Sequence, residues 1–134
     1  QLLRAMGQEL SQTMGGSSGV LLAIFFAAAG DSSSSGSDIP NSLLDGLKRM
    51  KEIGGAELGD RSMVDALEPS LNAFARAENP AMASRKGAEE TANMVSARVG
   101  RATYLSADQL QGNKDPGAEA VAKLFEYLVR HGGF

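Results

Sequence analysis

The chain contains no cysteine, no tryptophan and one histidine, His131. Without thiols there are no disulfides, no thiolate metal sites and no cysteine nucleophile. A lone histidine near one end argues against a Ser-His-Asp triad and against His-rich zinc chemistry. Basic charge is not in excess either: thirteen Lys and Arg stand against sixteen Asp and Glu, a net charge of −3. Nucleic-acid binding draws much of its affinity from a basic stripe, so that class of partner is excluded. The longest apolar run, Val20 to Ala29, falls well short of the roughly 20 residues that span a bilayer. No basic segment precedes it, so it does not read as a signal peptide. The expectation is a soluble, cytoplasmic protein with no membrane partner.

What the chain does have is glycine and helical rhythm. Sixteen of its 134 residues are glycine, well above the roughly 7% average, which points to tight turns and close backbone approach. Leu3, Met6, Leu10 and Met14 recur at helical spacing from the first residue, predicting a helix over residues 1–14. A helix that starts in mid-rhythm at Gln1 suggests a piece of a longer chain. Gly15-Gly16 ends it, and Ser17-Ser18-Gly19 leads into an all-round apolar helix over 20–29, fit for the centre of a bundle. The four-serine stretch within 31–37 reads as a flexible loop.

Asp38-Ile39-Pro40-Asn41 feeds a third helix, with Leu43, Leu44, Leu47, Met50 and Ile53 as its buried stripe. Gly59-Asp60 opens a fourth, with Asp60 as N-cap and Val64, Leu67, Leu71 and Phe74 buried. Asn79-Pro80 breaks the chain before a fifth helix over 81–95. Residues 100–116 show no clean period and read as a long ordered loop of the kind that carries function. Pro116 opens the last helix, buried through Val121, Leu124, Phe125 and Leu128. No strand pattern is sustained. The fold class is all-α, an up-and-down antiparallel bundle with six helices visible.

Three connections are richer in Gly, Ser and Asp than a bundle requires. Gly15-Gly16-Ser17-Ser18-Gly19 suits an anion, because glycines admit a close backbone and a helix start offers free N–H groups. A plain helix–helix turn explains the same residues. In the stretch 54–63, Ser62 suits a polar ligand edge and Met63 a flat apolar ring, beside the simpler reading that Asp60 and Ser62 cap a helix. The third runs from Gly100 to Ala118 and closes on an Asp-Pro-Gly turn. In an up-and-down bundle the first, third and fifth connections share one end. These are the three glycine-rich ones, which predicts one composite ligand site there.

Met14-Gly15-Gly16-Ser17-Ser18-Gly19, Gly59-Asp60-Arg61-Ser62-Met63 with Asp65, and Gly100-Arg101-Ala102-Thr103-Tyr104-Leu105 closing on Asp115-Pro116-Gly117-Ala118 carry a resemblance. The chain, over essentially its whole length, resembles the nucleotide-binding L domain of the dihydroxyacetone (glycerone) kinase family. The resemblance implies an eight-helix barrel that holds ATP or ADP with Mg2+ at one end. It implies nucleotide contacts at Ser17, Ser18, Gly54, Ser62, Met63, Asp115, Pro116 and Gly117, and no catalytic residue within residues 1–134. The family's acidic Gly-Asp-x-Asp-x-Gly loop, which holds the metal, has no counterpart here, so metal ligands are expected upstream of Gln1 and this stretch alone should be inactive.

The implied reaction moves the ATP γ-phosphate to dihydroxyacetone or glyceraldehyde bound in a separate K domain or subunit, within a homodimeric enzyme. Two other readings stand beside it: a non-catalytic helical interaction module that docks a partner, and an L subunit that keeps ADP as a cofactor rephosphorylated by a phosphotransferase. The family resemblance also admits a side activity that splits FAD to a cyclic riboflavin phosphate. Arg101 reads as a structural anchor for its loop and is left out of the site.

Overall fold

Helices alone form the regular structure of the described residues, six α-helices and one short 3-10 turn in this computed structural model. The structure describes residues 16–94 and 105–132, with side chains from residue 18 onward. The helix expected over 1–14 and the Gly100–Tyr104 block lie outside the described residues. The chain divides into two units, Gln1–Gly55 and Ala56–Phe134.

The described part of the first unit is a helical pair, α1 (Gly16–Ser34) and α2 (Ile39–Gly54). In α1 the apolar run resolves into one buried face of Leu22, Phe25, Phe26 and Ala29, while Val20 is exposed. Phe25 and Phe26 meet edge to face with centroids 4.9 Å apart, a favoured aromatic geometry. Asp38 caps α2 by accepting the Asn41 N–H at 2.9 Å, and Gly55 ends it at φ 73° with its N–H on the Lys51 carbonyl. The register is antiparallel: Ser32 bonds Asp45, Ala29 faces Gly46, and Leu21 faces Gly54.

Gly46 is what lets this pair close. A Cβ there would lie 2.5 Å from the Phe25 carbonyl oxygen and 3.1 Å from the Ala29 Cβ.

Two expectations change in this unit. The serine stretch is not a loop from residue 31, because α1 continues to Ser34. The Ser32 hydroxyl donates to the Asp45 carboxylate at 2.6 Å and the Ser35 hydroxyl to the Asp31 carbonyl at 3.0 Å. Tertiary bonding thus overrides the weak helix propensity of serine. Ile53 is exposed rather than part of the buried stripe of α2, and Leu44 is only half-buried.

The second unit packs α3 (Val64–Ala75), α4 (Pro80–Glu90) and α6 (Pro116–Arg130) against one another. A 3-10 turn (Thr91–Asn93) closes α4, so the helix expected to reach residue 95 ends at Glu90. Within the expected long loop, a four-residue helix α5 (Ala107–Leu110) forms behind a reciprocal Ser106–Gln109 capping box, as that motif predicts. Leu110 is 1% exposed and pins this segment to the core.

Asn79 caps α4, accepting from the Ala81 and Met82 N–H groups at 2.9 and 3.1 Å. Asp115 caps α6, accepting from the Ala118 N–H at 3.0 Å. Asp60 does not cap α3; its carboxylate accepts the Glu57 N–H at 2.8 Å inside the preceding turn. Phe74, Leu124 and Leu128 are half-buried rather than core, whereas Val64, Leu67, Leu71, Val121 and Phe125 are buried as expected.

Two contacts set how α4 sits. On one side Arg85 donates to both Glu119 and Glu126 of α6, at 2.5 Å and 2.7 Å. The guanidinium beside them holds both carboxyls below their ordinary range. On the other side Gly87 touches α3 directly, where an added Cβ would fall 1.9 Å from the Asp65 carbonyl oxygen. Pro69, inside α3, has no N–H to return to that carbonyl. The helix therefore gives up one internal hydrogen bond at the point where its neighbour arrives.

No side-chain movement relieves a clash between a Cβ and a backbone carbonyl, so Gly87→Ala should cost about 3 kcal/mol. Gly55→Ala meets no atom within 4 Å and should cost only about 1 kcal/mol for its left-handed backbone. Chemical denaturation of the two variants, followed by circular dichroism, checks that order.

Candidate functional site

The turn before α3 is tied by the side chain of a residue inside the helix. Asp65 accepts the Gly59 N–H on one carboxylate oxygen at 2.6 Å and the Ser62 N–H on the other at 2.8 Å. Its reach backward satisfies two N–H groups of the turn that precedes the helix. The Ser62 hydroxyl in turn accepts the Val64 N–H at 3.2 Å, which leaves its own proton as a donor. Ser62 and Met63 are both buried, at 8% and 5% exposure.

Arg61 is the unusual member of this turn. Its φ is 61°, a left-handed backbone that non-glycine residues adopt at a cost of about 1–2 kcal/mol. Its side chain is 2% exposed. One terminal nitrogen donates to the Asn113 carbonyl, and the other stands 3.7 Å from the Asp115 carboxylate. Arg61 Nε is buried with no hydrogen-bond partner among the described residues, an omission that costs about 1–3 kcal/mol.

The opposing segment is the Asp115-Pro116-Gly117 turn that opens α6. The Asp115 N–H donates to the Thr91 hydroxyl at 2.8 Å, and Thr91 donates onward to the Ala88 carbonyl. The Gly112 N–H reaches the Ala92 carbonyl at 2.7 Å. The end of α4 thus holds this turn by two bonds. Gly117 lies against Met63: a Cβ built on it would sit 3.3 Å from the Met63 Cβ and 3.2 Å from the Asp115 carboxylate. Pro116 is exposed and Gly117 half-buried.

Of the eight sequence-predicted contacts, five therefore come together in the second unit: Ser62 and Met63 on one turn, Asp115, Pro116 and Gly117 on the other. The remaining three belong to the first unit. Ser17 and Ser18 lie in the first turn of α1 rather than in a loop before it. Ser18 is half-buried, and the Ser17 side chain lies outside the described residues. Gly54 is the last residue of α2, and a Cβ there would press to 2.9 Å on Leu21, so local packing already calls for glycine.

Sequence reasoning missed the roles of Arg61 and Thr91. Arg61 was legible only as one letter of a motif, because its partners are 52 and 54 residues distant in the chain. Arg101 lies outside the described residues. Among the described residues no group of three or more His, Asp or Glu side chains is placed to hold a metal ion. No described helix is long and apolar enough to cross a membrane.

Charge at Asp115 is set by opposing influences. Burial pushes its carboxyl above the ordinary value of 3.8, and Asp65 adds to that, while the Ala118 and Gly117 N–H groups and Arg61 pull it down. The net direction is upward, so the folded state holds the proton more tightly than the unfolded chain. The contribution of Asp115 to stability is then greatest below pH 3.8 and declines as pH rises through the elevated folded-state value. Urea denaturation between pH 3 and 6 should show wild type losing stability relative to Asp115→Asn as pH rises. A difference that grows in the opposite direction would contradict this.

With that geometry in place, the chain can be set beside known proteins. The DAK2 domain model matches residues 1–130. The dihydroxyacetone kinase of Citrobacter freundii is 45% identical over 132 residues, covering 96% of this chain and 24% of the relative. The triokinase/FMN cyclase of Rattus norvegicus is 34% identical over 142 residues, with the same coverage of each. The L-erythrulose 1-kinase of Mycolicibacterium smegmatis is also 34% identical, over 139 residues. The crystal structure of the C. freundii dihydroxyacetone kinase matches 97% of this chain at 40% identity, with a TM-score of 0.77 in its native form. Its complex with AMP-PNP and Mg2+ matches with a TM-score of 0.73. The chain spans about a quarter of the length of these relatives. It is homologous to these kinases and belongs to the DAK2 domain family.

Proposed function

We infer that this chain is the nucleotide-binding part of a dihydroxyacetone-type kinase, the L domain of the family resemblance. In that reading it holds ATP while the γ-phosphate passes to dihydroxyacetone or glyceraldehyde carried by a separate K domain. The observation that carries the reading is the junction of the Ser62–Met63 and Asp115–Gly117 turns, joined through Arg61 and Gly117. The C. freundii relative bound to AMP-PNP and Mg2+ supports an adenine nucleotide as the ligand. A cytoplasmic, homodimeric enzyme is part of the same proposal.

The chemistry of the junction assigns it a part of the nucleotide. Asp115 already takes up N–H groups of the first turn of α6, and its carboxyl would oppose a phosphate. This turn therefore suits the donor groups of the nucleoside, ribose hydroxyls or an exocyclic amine. Ser62 offers a hydroxyl proton beside it. Ser17 and Ser18 are assigned to the phosphates, and Gly54 to the nucleotide, on the resemblance alone.

The transfer itself breaks the bond between Pγ and the β–γ bridging oxygen and forms one to the acceptor hydroxyl oxygen. That chemistry depends on positioning and charge neutralisation more than on covalent catalysis. Mg2+, when bound, supplies part of that neutralisation. Among the described residues no ligand set is placed for it; in this reading the chain's part is to bind and orient the nucleotide.

Calorimetric titration of the full-length natural protein with Mg-ADP tests the reading. Saturable binding is expected, and Ser62→Ala should weaken it about three- to tenfold, the worth of one hydrogen bond. Formation of dihydroxyacetone phosphate from dihydroxyacetone with ATP as the sole phosphoryl donor would support the ATP-dependent kinase over the phosphotransferase-dependent subunit. A full-length protein that binds no Mg-ADP would leave the helical interaction module as the better reading.

A further inference from the structure

Arg61 combines features that stability alone does not favour. Its backbone sits at φ 61° without being glycine, and its guanidinium is buried with Nε unpartnered among the described residues. The other non-glycine residue at positive φ, Ala77, lies exposed just past the end of α3, where such a backbone is common. At Arg61 the strained conformation instead sends a long cation into the unit's interior. Strain retained in a buried, fully determined setting is characteristic of functional positions.

What the strain achieves is a bridge. The Arg61 backbone is adjacent to Ser62, within the turn that Asp65 pins. The far end of the side chain reaches the Asn113 carbonyl and the Asp115 carboxylate, just before α6 begins. Thr91 fixes the same segment from the end of α4 through the Asp115 N–H. The segment leading into α6 is thus held by two bonds to the end of α4 and by Arg61 to the turn before α3. Arg61 sets its distance from Ser62 and Met63 through a side chain, beside the close packing of Gly117 on Met63.

Building on the nucleotide-binding reading, we propose that Arg61 is a positioning residue for the nucleotide. Its guanidinium fixes the gap between the Ser62–Met63 turn and the Asp115–Gly117 turn, and it acts without touching the ligand. The fork geometry matters as much as the charge, because two acceptors on different residues are engaged by different nitrogens. A lysine ammonium in this place keeps the charge opposite Asp115 but cannot span both acceptors in the same way.

The test uses the full-length natural protein with Arg61→Gln and Arg61→Lys, comparing Mg-ADP affinity by calorimetry with amide hydrogen exchange. Arg61→Gln should raise the Kd for Mg-ADP about tenfold, the equivalent of one lost charge-assisted contact. Exchange should accelerate selectively over residues 113–118, while α3 and α4 keep their protection. Arg61→Lys should recover part of the affinity and part of the protection. Should Arg61→Gln fail to fold, Arg61→Lys carries the same comparison against wild type.

Folded variants with wild-type affinity would overturn the proposal and leave the kinase reading standing. Loss of protection spread evenly over α3, α4 and α6 would also overturn it, since that marks a general structural role. A wild-type protein that binds no Mg-ADP would overturn both.

Discussion

The second unit turns on a single residue used at both its ends. The Asp65 carboxylate gathers the Gly59 and Ser62 N–H groups and so shapes the turn before α3. Its backbone carbonyl is where Gly87 brings α4 against α3. Four residues on, Pro69 withholds the N–H that an ordinary helix would direct at that carbonyl. The packing of two helices and the conformation of the candidate site therefore meet at one peptide unit. A change in how α4 sits on α3 would be transmitted to the turn carrying Ser62 and Met63 without passing through any flexible segment.

Much of this was legible from local sequence, and the limits of that reading are physical. The turn at Asp38 and the breaks at Asn79-Pro80 and Pro116 marked helix starts correctly, because capping side chains and proline act over three or four residues. The apolar stripes gave most of the core for the same reason. Local rules failed where a distant partner decided the outcome. Serines 32 to 34 join a helix because Ser32 finds Asp45 on the facing helix. Asp60 has the composition of an N-cap, yet Asp65 takes over the amides of that turn from inside the helix. The loop before α6 hid a short helix because its anchor, Leu110, is a single buried residue with no periodic neighbours.

The candidate site divides along the same line. Ser62, Met63 and the Asp-Pro-Gly turn could be marked from their motifs, and the fold brings these two turns into contact. Arg61, which joins them, could not be assigned a role from spacing, since its partners lie more than fifty residues away. Arg85 shows the contrast between two arginines in one unit. It pairs with Glu119 and Glu126 at the partly exposed edge between α4 and α6, where such pairs contribute modestly. Arg61 is wholly buried, so removing its partners would strand a charge in the interior. One arginine trims a surface and the other holds a turn.

Asp115 is where these constraints meet the proposed ligand. As the N-cap of α6 it is favoured as a carboxylate by the N–H groups of the first turn, and Arg61 acts in the same direction. Burial opposes both and prevails, with Asp65 adding like charge nearby. A carboxyl in that balance responds to what is placed beside it. A phosphate would add a second negative charge to a desolvated site and raise the cost of ionisation further. Hydroxyl or amine donors of a nucleoside would supply the hydrogen bonds that burial has taken away, and would stabilise the ionised form. The same balance that makes Asp115 costly to ionise is what, in the proposed reading, favours the neutral end of a nucleotide at this junction.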